Sequence, residues 1–98
     1  MLNQLQSGDF APHLNDKFII HVESSEPIEA ELIEVSELGA PAFDQRPPFS
    51  IVLRTRQKDQ YLIQAIYQVQ HAEMGTLDLF LVPLGPDEED MRYEAVFT

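Results

Sequence analysis

The run YLIQAIYQVQHAEMGTLDLFLVPL, residues 61–84, is the most regularly patterned part of this chain. Tyr61, Ile63, Ala65, Tyr67 and Val69 form one alternate set, and Leu62, Gln64, Ile66, Gln68 and Gln70 the other. A period of two is the mark of a strand with one buried face, and β-branched and aromatic residues suit a pleated surface. After AEMG, Leu77, Leu79 and Leu81 alternate with Asp78, Phe80 and Val82. Only Asp78 is polar there, which predicts a central strand covered on both faces. Pro83 has no N–H to give a ladder, so pairing on its side should stop there. The pattern predicts a hairpin whose loop, residues 72–75, is a type I turn followed by a left-handed residue. Gly75 is the residue that takes φ > 0 without steric cost.

Four further strands follow from the same period. KFIIHVE (17–23) sets Phe18, Ile20 and Val22 on one side. IEAELIEVSEL (28–38) changes parity midway: Ile28, Ala30 and Leu32 give way to Ile33 and Val35. Both sets reach one face only if a residue is inserted, so the pattern predicts a β-bulge near Leu32–Ile33, or burial of the second half on both sides. PFSIVLRT (48–55) sets Phe49, Ile51 and Leu53 inward, and RYEAVFT (92–98) sets Tyr93, Ala95 and Phe97 inward. Between them lie the Pro- and Gly-rich loop 39–48 and the acidic run GPDEEDM (85–91), read as a loop. Phe43 is read as a lid folded back on the core. SGDFAPHL (7–14) reads as a short helical turn capped by Ser7 or Asp9, with Phe10 and Leu14 sharing a face at one end of the core. The expectation is one all-β domain over residues 1–98. It would be a small antiparallel sandwich or partly open barrel of about six strands, with one N-terminal helical turn.

Composition narrows the function classes. Seventeen acids against six bases give a formal charge of −11. Such a field repels phosphate backbones and anionic lipid, so neither nucleic acid nor membrane is expected as a partner; the charge is read first as keeping a small domain soluble, and alternatively as an acidic face for a protein partner with a basic surface. The chain has no cysteine, no leader-like N-terminus and no apolar run long enough for a bilayer, which predicts a cytoplasmic protein without disulfides. Oligomeric state stays open. Six glutamates (Glu23, Glu26, Glu29, Glu31, Glu34, Glu37) precede a basic group of Arg46, Arg54, Arg56 and Lys58. If the second and third strands are antiparallel neighbours, Glu29 and Glu31 can pair with Arg54 and Arg56.

Reactive chemistry is sparse. His21 with Glu23, and His71 with Glu73, stand two apart, but that spacing is a weak metal signal, and surface or half-buried histidines explain it. Asp87, Glu88, Glu89 and Asp90 lack the alternation and glycine of an EF-hand loop. No phosphate loop or nucleophile elbow occurs. No catalytic residue, metal or cofactor is therefore expected, and the chain is read as not an enzyme.

The C-terminal LDLFLVPLGPDEEDMRYEAVFT resembles a bacterial family of proteins about a hundred residues long, catalogued as a domain of unknown function. The resemblance extends to Asp9–Phe10, to PFSIVLR, and to the I-Y-x-V-x-H pattern of Ile66, Tyr67, Val69 and His71. The family has a glycine where this chain has Asp90, which puts a tight turn there in doubt. It implies no activity, but it does imply an accessory role beside phage-tail-like collar proteins. Taken together, the sequence predicts a non-catalytic interaction or assembly module that offers open sheet edges. Its contact residues would be Phe43, Asp87, Glu88, Glu89 and Asp90, with Gly75 as a structural turn. The alternatives are a small-ligand-binding β-barrel or an enzyme of unrecognised type.

Overall fold

The computed structural model describes residues 5–23, 26–39, 47–56, 62–87 and 90–97, without the side chains of Pro86 and Asp87. A short helix α1 (Ser7–Phe10) runs into a 3-10 turn (Ala11–His13). Six strands follow: β1 (Lys17–His21), β2 (Ile28–Glu37), β3 (Phe49–Thr55), β4 (Ala65–His71), β5 (Gly75–Asp87) and β6 (Asp90–Phe97). All neighbours are antiparallel, in the order β1-β2-β3-β6-β5-β4, and β4 pairs back onto β1 through Ile19↔Gln70, Ile20↔Val69 and His21↔Gln68. The fold is all-β, as the alternation predicts, but the sheet closes into a barrel. Closure pairs most of the edges expected to be open, but Gly75–Leu81 of β5 has no register partner on β6, and Ala65–Tyr67 of β4 none on β1.

The inward sets are those the period of two selects. Phe18, Ile20, Ala30, Leu32, Ile51, Leu53, Val69, Leu79, Leu81, Tyr93 and Ala95 are buried together. The parity change in β2 is a bulge: Leu32 faces Leu53, then Glu34 faces Val52, and Ile33 is left unpaired. This lets Ala30, Leu32 and Val35 all turn toward the core. A second bulge separates Pro83 from Gly85, whose φ is +107°. Pairing of β5 with β4 ends at Ala65↔Leu81, two residues before Pro83, while pairing with β6 continues past it.

Phe10 closes one end of the barrel. It is fully buried, its ring 5.9 Å from Phe49 and 5.5 Å from Phe97, and those two are stacked 4.5 Å apart. Leu14 does not join it, being 41% exposed. The cap also differs from expectation. Gln6 is the N-cap, and its backbone N–H donates to Asp9 Oδ2 at 2.8 Å.

The predicted hairpin stands with three corrections. Its loop is Ala72–Met74, and His71 pairs with Gly75 as the first residue of β5, at φ +82°. The strand before it starts at Ala65, and Ile63 is 72% exposed. Phe80 is 50% exposed, so β5 is buried on one face only. The segment before β4 is held differently: Tyr93 Oη accepts from the Leu62 N–H at 2.8 Å, and Tyr67 Oη donates to the Ile63 carbonyl at 2.7 Å. Burial pushes the Tyr93 phenol up.

Candidate functional site

The run expected to be an acidic loop is largely strand. Gly85, Pro86 and Asp87 extend β5, Asp90 begins β6, and Asp87 faces Asp90 in the register. Asp90 is half-buried, and Arg54 Nε lies 3.5 Å from its Oδ2. It is a ladder residue whose carboxylate is engaged within the barrel wall. Glu88, Glu89 and the proposed lid Phe43 lie outside the described residues.

Arg54 also holds Glu31 at 2.7 Å, and Lys17 holds Glu29 at 3.3 Å. β2 and β3 are antiparallel neighbours, so the conditional pairing forms for Glu31 with Arg54, while Glu29 turns to Lys17 on β1 instead of Arg56. These pairs line an open groove of about 570 Å³ across β1, β2 and β3, with Asn15 and Arg56. The Glu94 carboxylate on β6 has no ion-pair or hydrogen-bond partner among the described residues.

Two features were not legible as sites. The first joins His13, Asp16 and His71. His13 Nδ1 and His71 Nε2 each lie 3.0 Å from Asp16 Oδ2, and the two rings are 4.3 Å apart. His71 is buried, its ring 4.6 Å from Phe18. Its Nδ1 accepts backbone N–H groups of Glu73 and Met74 at 3.0 and 3.2 Å. Hydrogen bonds from His71, then from His13, hold the Asp16 carboxyl below the usual carboxylate range.

Three ligand-type atoms this close invite a metal reading. The donor wiring of His71 fits one poorly. An imidazole that accepts two N–H groups at Nδ1 carries its proton on Nε2. A cation at Nε2 would need that lone pair and would push the proton to Nδ1, against both backbone donors. The arrangement suits a hydrogen-bonded knot: Asp16 accepts from both rings and ties the N-terminal segment to the β4–β5 turn. His13 and His71 lie far apart in sequence, and only His71's link to its own turn had a local signal. His21, the other histidine considered for metal, bonds Gln70 Oε1 at 2.9 Å.

The second feature is apolar and lies on the outside. Ile66 on β4 and Phe80 on β5 face each other in register, 68% and 50% exposed. Val96, two residues beyond Glu94 on β6, is 51% exposed, and Ile63 precedes β4. An outer barrel face normally alternates to polar. Beside Ile66 a groove of about 460 Å³ opens between the end of β1 and β4, lined by His21, Val22, Glu23, Ala65, Ile66, Tyr67 and Gln68. An exposed apolar stripe rimmed by polar groups is the physical signature of a docking face.

The fold and this face define a small closed β-barrel with a core of buried apolar side chains and an apolar outer stripe. Residues 5–97 match the family described as a domain of unknown function (DUF6916), and the chain belongs to it. No curated protein and no solved structure matches. No helix among the described residues is long and apolar enough to cross a membrane.

Proposed function

We propose that this chain is a non-catalytic protein-interaction or assembly module that docks a partner on the outer face of β4 and β5. The observation that carries this is the opposed, exposed Ile66–Phe80 pair. Leaving these two large apolar side chains half to two-thirds in water forgoes about 1–2 kcal/mol of burial for each, which a covering partner recovers. The accessory role beside phage-tail-like collar proteins that the resemblance implies is compatible with such a face. Closure leaves only short stretches of β4 and β5 for strand addition, so recognition at the stripe would use side chains. The ligand-binding alternative is weaker, because inward Phe18, Leu32, Leu53, Leu81 and Tyr93 fill the interior. The enzyme alternative has little to build on among the described residues: the Ser36 hydroxyl donates to Glu34 Oε2 at 2.8 Å, but neither residue lines either groove.

Native mass spectrometry of the chain co-expressed with products of its neighbouring genes tests the reading. A complex that survives Glu73→Ala but is lost in Phe80→Asp supports it. A chain that stays alone with every neighbour, or a complex indifferent to Phe80→Asp, overturns it.

A further inference from the structure

The surroundings of the stripe specify the chemistry of what covers it, and this inference rests on the docking reading above. Outward on β5, Phe80 is preceded by Asp78 and followed by Val82; Val82 faces Glu94 on β6, and Asp78 faces Gln68 on β4. Glu23 lines the adjoining groove with Ile66. The carboxylates of Asp78, Glu94 and Glu23 have no ion-pair or hydrogen-bond partner among the described residues. Some acids elsewhere on the barrel are matched, Glu29 with Lys17 and Glu31 and Asp90 with Arg54, while Glu34 and Glu37 at the far end of β2 have no cationic partner among the described residues. Uncompensated acids thus flank the apolar stripe, on a chain whose formal charge is −11.

We infer that the stripe receives a protein segment whose apolar side chains are flanked by lysine or arginine. The apolar residues would lie over Ile66 and Phe80 and in the groove beside Tyr67, with the cations facing Asp78, Glu94 and Glu23. A second copy of this chain is the wrong occupant, since it would set carboxylate rims and two strongly negative bodies against each other. Charge complementarity of this kind steers encounter and excludes partners of the wrong sign. It also makes the association sensitive to salt, because exposed charges are screened over about 8 Å at physiological ionic strength.

The experiment is a displayed-peptide selection on the immobilised full chain, followed by fluorescence anisotropy of the enriched peptides. The expected peptides carry aromatic or branched apolar residues beside Lys or Arg. Their affinity should fall at least tenfold in Phe80→Asp and, independently, in Ile66→Ser. It should fall several-fold in the triple variant D78N/E94Q/E23Q, with a flatter salt dependence. These positions are on the outer face, and matching thermal melts for the variants establish that the fold persists. Enriched peptides that need Phe80 but carry no basic flank overturn this inference and leave the docking reading standing. Basic peptides that bind Phe80→Asp as well as wild type overturn both, as does a selection that enriches nothing. A concentration-dependent dimer that Phe80→Asp abolishes assigns the face to a second copy and overturns the inference.

Discussion

Gly75 sits where the chain leaves the Ala72–Met74 loop at φ +82°, with open space where a Cβ would stand. Any cost of a side chain there is backbone strain alone, about 1–2 kcal/mol for alanine and more for a β-branched residue. Gly75→Ala should therefore lower the unfolding free energy by about that much, while Glu73→Ala, on the exposed loop, stays within about 0.5 kcal/mol. Paired denaturant titrations check this. Asp16 makes a prediction of a different kind. Its carboxyl is held lower in the folded chain than in the unfolded one. The ionised group thus adds stability above the ordinary carboxylate range, and that stability is lost as pH falls through the lowered value. Asp16→Asn should melt below wild type at neutral pH, and the gap should close in acid; a gap constant with pH would show the pair of histidine bonds to be unimportant. Gly75 was legible because one residue type answers one backbone need. The Asp16 knot was not, because three residues on separate elements meet only after the barrel forms.

Among the elements, β2 was the most informative in sequence. A parity change between Leu32 and Ile33 has a small set of physical solutions, and the bulge there is one of them. The acidic stretch 85–91 misled for a comparable reason. A proline, a glycine and four acids carry loop chemistry, yet Gly85 at φ +107° absorbs the irregularity as a bulge, and β5 runs on to Asp87. Tertiary pairing with β6 outweighed local composition. Helix α1 is only one turn long, and its place is secured by burial of Phe10 between Phe49 and Phe97, not by propensity. Phe10→Ala should cost about 3–5 kcal/mol, through lost transfer energy and the cavity left behind. Leu14→Ala, at an exposed site four residues on, should cost far less; comparing the two melts tests the plug.

For the molecule as a whole, six antiparallel strands could be read from alternation, but closure could not. Alternation says which face is buried and is silent on which strand lies beside which. The pairing of β3 with β6, and of β1 with β4, has no local trace in sequence. The exposed stripe was hidden too, because Ile66 and Phe80 fit the apolar composition of core strands; only their parity against Val69, Leu79 and Leu81 set them outside. The surplus of acids is a property at this scale. Self-repulsion opposes compactness, and it is screened as the Debye length shrinks from about 30 Å at 0.01 M ionic strength to about 8 Å at 0.15 M. The melting temperature should rise over that interval; a flat response would indicate that the charges are spaced widely enough to ignore one another.

The strand order also sets a timetable for synthesis. β3 ends at Thr55, but its second neighbour, β6, begins only at Asp90. At about 5–20 residues per second a ribosome needs a few seconds to deliver it. Through that interval β3 carries an unpaired flank, and Phe10 lacks the Phe97 ring it packs against. Stalled chains ending before β6 should accordingly be protease-sensitive along their whole length, with protection arriving in one step once Phe97 has cleared the exit tunnel.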